Sequence, residues 1–103
     1  MNKIVFTPES FNDLKDIKSY IIKEFCSENI ANNIVEKILK KIRLLETFPE
    51  IGTPISSVIN LDVPYRILIC DNYSTFYKIE NNIIYIIRIL NNRRNYMQIL
   101  FGI

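Results

Sequence analysis

The chain reads as an α+β protein, with a short N-terminal strand, an antiparallel helical hairpin, and a three-stranded antiparallel meander forming one sheet packed on the helices. Three observations predict this. Apolar residues recur every three or four positions from Phe11 to Leu45, the period of a helix with one buried face. That period is lost between Pro54 and Pro64. Beyond Pro64, runs rich in β-branched and aromatic residues alternate with Asp71-Asn72 and Asn81-Asn82, a strand-and-turn pattern. At 103 residues the chain is expected to fold as one domain, residues 1–103, within the usual range of roughly 100–200 residues per domain.

Lys3 to Phe6 is expected to be a strand that joins the sheet. Thr7-Pro8-Glu9 is a helix start, because threonine caps, proline suits the first helical position and glutamate complements the dipole. Phe11, Leu14, Ile17, Ile21 and Phe25 then form one apolar stripe, with Asp13, Lys15, Asp16, Lys18 and Lys23 off it. Ser27-Glu28 caps a second helix, whose stripe of Ile30, Ile34, Ile38, Ile42 and Leu45 runs to about Thr47. Pro49 and Gly52 end it. Residues 54–64 read as a connecting loop. Val63–Cys70, Tyr73–Glu80 and Ile83–Leu90 follow as strands joined by two-residue turns, where Asn and Asp tolerate positive φ.

Two-residue turns set a register, and the register sets faces. Arg66 then lies opposite Tyr77, and Tyr77 opposite Ile86; Leu68, Thr75 and Arg88 form the next row. On that reading Ile67, Ile69, Phe76, Ile87 and Ile89 face the helices. Arg66, Tyr73, Thr75, Tyr77 and Arg88 share the outer face with Leu68, Ile84, Ile86 and Leu90. Such a mixed face suits a partner, either another protein or a second copy of the chain in a homodimer.

Composition excludes several function classes. The chain is 49% hydrophobic and 23% charged, which rules out a disordered tail. The longest apolar run, Ile83 to Ile87, is far too short to span a membrane, and the first residues do not read as a signal peptide, so a cytoplasmic location is expected. With no histidine, Ser-His-Asp and Cys-His catalysis and histidine metal sites are absent. Cys26 and Cys70 form no CxxC pair, so neither a metal nor a cofactor is called for. Net charge is only +2, but it is unevenly spread. Residues 63–103 carry Arg66, Lys78, Arg88, Arg93 and Arg94 against Asp71 and Glu80. Arginine is the side chain for bidentate phosphate or carboxylate contacts. Asn91-Asn92-Arg93-Arg94-Asn95-Tyr96 reads first as a solvated turn with a tyrosine packing on the sheet edge, and second as a grip for a phosphodiester.

Several blocks resemble the RelE/ParE superfamily of toxins from bacterial type II toxin–antitoxin systems. Val5-Phe6-Thr7-Pro8-Glu9-Ser10 with Asp13-Leu14-Ile17-Tyr20-Ile21 looks like its first strand and helix. Leu45, Phe48-Pro49 and Gly52-Thr53-Pro54 look like the end of its second helix. Tyr65-Arg66-Ile67-Leu68, Tyr73, Phe76-Tyr77 and Ile79 resemble its central strands. Arg88-Ile89-Leu90 through Tyr96, with Ile99-Leu100, resembles its closing segment. The resemblance implies a cognate antitoxin that covers the toxin, pairing its carboxylates with Arg66 and Arg88. It also implies one of two activities: ribosome-dependent cleavage of messenger RNA, or inhibition of DNA gyrase.

Metal-independent RNA cleavage is the leading expectation from the resemblance. Arg66 and Arg94 would supply cations and Tyr96 a proton carrier, while Tyr73, Tyr77, Arg88 and Arg93 would bind nucleic acid or a partner. Lys37, Lys40, Lys41 and Arg43 read as the solvated face of the second helix or as contacts to ribosomal RNA. The departures favour the alternatives. Positions that are basic in the nuclease branch fall at Leu68 and Ser74, and its C-terminal tyrosine at about Leu100. A Glu and a His that another nuclease branch uses have no counterpart near Asn91. The alternatives are a gyrase inhibitor that cuts no bond, and a degenerate toxin that keeps only antitoxin binding.

Overall fold

A computed structural model describes residues 2–102. Strand β1 (Lys3–Phe6) leads into helix α1 (Pro8–Phe25) and helix α2 (Glu28–Arg43), which ends in a 3-10 turn at Leu44–Glu46. A two-residue strand β2 (Thr53–Pro54) and a second 3-10 turn (Ile55–Ser57) lie within the stretch read as a loop. Strands β3 (Tyr65–Cys70), β4 (Tyr73–Glu80) and β5 (Ile83–Asn91) form the meander, and a short helix α3 (Tyr96–Phe101) closes the chain. The sheet has five strands in the order β1-β5-β4-β3-β2, with β1 parallel to β5 and every other pair antiparallel.

The local signals act as expected. Thr7 Oγ1 accepts from the Ser10 amide at 3.2 Å and Ser27 Oγ from the Ile30 amide at 3.2 Å, so each helix begins on a side-chain cap. Cys26, at φ 50°, ends α1 in the left-handed region, and Ser27 restarts the chain as α2. Asp71, Asn81 and Asn82 all have positive φ. The β4–β5 turn therefore has both central residues left-handed, matching the twist of the strands it joins.

Two expectations are corrected. On α1 the buried residues are Ser10, Asp13, Ile17 and Ile21, whereas Phe11 and Phe25 are exposed, so the buried line is rotated and takes in Asp13. The sheet faces are also reversed. Leu68, Cys70, Tyr77, Ile84 and Ile86 pack against Ile17, Ile21, Ala31, Ile38 and Ile42 of the helices. Phe76, Ile67 and Ile87 lie on the far side, under Ile55, Ile59, Tyr96, Ile99 and Leu100. The reason is that both faces are covered: residues 55–63 and α3 close the side away from the helices. Both faces must then be apolar, and composition does not say which one the helices take.

The register carries one further difference. Arg66↔Tyr77 and Tyr77↔Ile86 pair as expected, but the next pair is Phe76↔Arg88, leaving Ile87 as an extra residue on β5. This β-bulge inverts the alternation beyond it. Ile89 is therefore opposite Thr75 and joins the helix-side core, while Leu90 joins Phe76 on the far side.

Candidate functional site

Three arrangements of polar side chains stand out, and the fold explains each. The first is built on α1 and the bulged strand. Asp13 is 8% exposed, and its Oδ2 accepts from Arg88 Nε at 2.7 Å and from the Ile89 amide at 2.9 Å. Its Oδ1 accepts from Arg88 Nη2 at 2.9 Å. The hydrogen bond to Asp13 holds the Arg88 guanidinium above its ordinary range, against the opposing effect of burial. Arg88 was expected to reach a partner's carboxylate; it spends its charge on one within the chain.

The second arrangement secures the loop that follows α2. Tyr77 is fully buried, and its hydroxyl donates to the Pro49 carbonyl at 2.8 Å and accepts from the Gly52 amide at 2.9 Å. Burial, the largest cause, pushes the phenol up from its usual range. Arg66, opposite Tyr77 on β3, donates through Nη1 to the Gly52 carbonyl at 2.7 Å and the Glu50 carbonyl at 3.1 Å. Gly52 is required there, because a Cβ would sit 2.6 Å from the Tyr77 hydroxyl and 3.0 Å from the Ile67 carbonyl oxygen. The outer-face position expected of Tyr77 is thus corrected to a core one.

The third arrangement is the end of β5. Asn92 donates from Nδ2 to the Asp71 carbonyl at 3.0 Å and from its amide to the Asn72 carbonyl at 2.8 Å, while Ser74 Oγ donates to its Oδ1. Asn91 accepts the Arg93 amide on Oδ1 and the Arg94 amide on its carbonyl, both at 2.9 Å. The strand end is so latched to the β3–β4 turn, and Arg93 and Arg94 project from a fixed stretch of backbone. Neither guanidinium has a hydrogen bond or ion pair among the described residues.

Two surface hollows flank this end. One, of about 500 Å³, lies between α1 and the end of β5, lined by Asp16, Tyr20, Tyr73, Asn91, Arg93 and Arg94. Burial, followed by the neighbouring Tyr20, pushes the Tyr73 phenol up from its usual range. The other, of about 580 Å³, lies on the far face of the sheet, where Ile51, Val58, Ile67, Ile69 and Tyr96 meet Lys41. Ile69 is 59% exposed there, an isoleucine on a strand with little above it.

The residues expected to cleave RNA are distributed among these features. Arg66 ties down the loop at residues 50–52, Arg94 lines the hollow beside α1, and Tyr96 packs on Phe76 with ring centroids 5.1 Å apart. Of the two hollows, Arg94 lines the one beside α1, Tyr96 lines the one on the far face, and Arg66 lines neither. Tyr73, Arg93 and Arg94 do come together, and Arg88 lines the same hollow while bound to Asp13. Asp13 and Tyr20 were not singled out from the sequence. Asp13 had a legible signal, standing four residues before Ile17 and eight before Ile21, an acid on a buried line. Among the described residues there is no cluster of three or more His, Cys, Asp or Glu side chains suited to a metal, and no helix is long and apolar enough to cross a membrane.

Comparison with known proteins agrees with this architecture. Residues 4–96 match the family model described as the ParE toxin of the type II toxin–antitoxin system, parDE. A solved structure of the chromosomal ParDE system from P. aeruginosa superposes with a TM-score of 0.72, covering 88% of this chain and 96% of that one at 20% identity. At that identity the likeness is one of fold. No sequence among the curated proteins matches the chain.

Proposed function

Since the chain belongs to the ParE toxin family of type II toxin–antitoxin systems, we propose that it is a binding toxin. On this reading it inhibits DNA gyrase without cutting a bond and is neutralised by a cognate antitoxin. The observation that carries this is that Arg66, Arg94 and Tyr96 serve three different places, Arg66 on the 50–52 loop and Arg94 and Tyr96 in different hollows. Cleavage by a 2′-hydroxyl needs a base, an acid and cations around one phosphate, within hydrogen-bond reach. Here Arg66 is committed to the Glu50 and Gly52 carbonyls, while the Tyr96 ring packs on Phe76 at the far-face hollow. The chain also has no histidine, the side chain whose unperturbed pKa suits proton shuttling near neutral pH.

Induced expression without the antitoxin, read by gyrase supercoiling and by primer extension on messenger RNA, tests the reading. Inhibited supercoiling with intact messages is the expected result. New cuts in translated frames, lost on Arg94→Ala, would overturn it in favour of RNA cleavage. Growth unaffected by expression would overturn it in favour of a toxin that only binds its antitoxin.

The far-face hollow is the proposed seat of the antitoxin. Arg66 and Arg88 are spent internally, so the far-face hollow, apolar at Ile51, Val58 and Ile69 with Lys41 at its rim, is the surface that suits an apolar segment bearing acidic residues. An Ile69→Glu variant should weaken the toxin–antitoxin complex at least about tenfold by calorimetry, since a buried, unpaired carboxylate replaces an apolar contact. The unfolding midpoint should barely move, because Ile69 is exposed in the free chain.

A further inference from the structure

We propose that the hollow between α1 and the end of β5 binds one nucleotide of a single-stranded nucleic acid, its phosphate on Arg93 and Arg94 and its base against Tyr20 and Tyr73. This goes beyond gyrase inhibition and is independent of it, because it concerns a ligand of the toxin alone.

Of the chain's five arginines, Arg66 and Arg88 have bonded partners, whereas Arg93 and Arg94 are exposed, adjacent and unpaired among the described residues. Two neighbouring guanidinium forks match the oxygens of a phosphodiester. Their backbone is already fixed by Asn91 and by the Asn92 latch, so less ordering cost remains when a ligand arrives.

Tyr20 is 60% exposed, and Tyr73 is half-buried opposite Asn91, two residues before the arginine pair. Aromatic rings beside a cationic groove are what a single strand requires, because every base has a face to stack. Asp16 stands in the same hollow, so the anionic part of a ligand is directed to the arginine end, while the carboxylate accepts from a base N–H. Asp13 adds no such repulsion, since Arg88 neutralises it. A hollow of about 500 Å³ is the size of a small-ligand site, enough for one nucleotide and short for a length of folded protein.

Fluorescence anisotropy of the purified toxin with a labelled single strand of about ten nucleotides tests the proposal. Binding is expected, weakening with salt, and Arg93→Ala and Arg94→Ala should each reduce the logarithmic salt slope by about 0.7. Tyr20→Ala should cost about tenfold or more in affinity, and Tyr20→Phe should restore it. Lys23→Ala, which removes a charge outside the hollow, should leave binding unchanged. AMP and inorganic phosphate are the competing arms. Displacement by either at the strand's own concentration would overturn the proposal in favour of a free-nucleotide or simple phosphate site. Binding indifferent to the arginine and Tyr20 variants would also overturn it. So would the absence of strand binding, and if Arg93→Ala and Arg94→Ala then weakened the antitoxin complex, the surface would belong to a protein partner. None of these readouts involves gyrase, so the two readings fail separately.

Discussion

Asp13 occupies a line of α1 otherwise filled by Ser10, Ile17 and Ile21, and it is tolerated there because three donors meet its carboxylate. Asp13→Asn keeps the volume but leaves the partly buried Arg88 guanidinium without its counter-charge. Urea denaturation should show a loss of about 3 kcal/mol, the scale of breaking a buried pair from one side. Tyr77→Phe is a smaller cut, since only the hydroxyl goes, but it strands the Gly52 amide and the Pro49 carbonyl together. A loss of about 1–2 kcal/mol is expected, with the 49–52 loop exchanging its amides faster. Pairing of Arg66 with Tyr77 was legible from turn length alone. What their side chains do was not, because the carbonyls they hold belong to a loop without periodicity.

At the scale of elements, the caps, both hairpin turns and the helical pair could be read directly, since each depends on residues within a few positions of one another. Thr7 does more than its local role. Its hydroxyl donates to the Ile86 carbonyl at 2.8 Å while accepting from the Ser10 amide, so it couples the start of α1 to β5. Thr7→Ala should therefore cost about 2 kcal/mol in urea denaturation, at the upper end of what a cap alone contributes. The faces of the sheet were not legible, for two physical reasons. Ile87 is an isoleucine in a run of isoleucines, and nothing in its type marks it as the residue that bulges. The cover supplied by residues 55–63 and α3 also makes the second face as apolar as the first. The candidate hollow was partly readable: Tyr73, Arg93 and Arg94 stand on one strand end and its neighbour. Tyr20 comes from a distant helix and joins them only through the packing of α1 on β5.

For the whole molecule, the sheet lies between two apolar layers, and the larger, helix-side layer contains titratable groups. Burial is the leading cause that pushes Cys70, Tyr73 and Tyr77 up from their usual ranges. A folded state that holds these protons more tightly than the unfolded chain is fully stabilised below the unfolded values. It loses that advantage as pH rises from those values, about 8.5 for a thiol and about 10 for a phenol, through the higher ones of the folded state. The urea midpoint should be flat around neutrality and fall above about pH 9, and Cys70→Ala together with Tyr73→Phe should flatten the decline. One cooperative transition is expected throughout, because both layers share the same strands.

The parallel pairing of β1 with β5 has a consequence in time. Lys3–Phe6 find their partners at Ile83–Ile86, near the opposite end of the chain. Closing so long a loop is a slow and late step. The first strand is therefore expected to pair last, after the helices and the first hairpin, and pulsed amide exchange during refolding should protect Lys3–Phe6 later than Tyr73–Glu80.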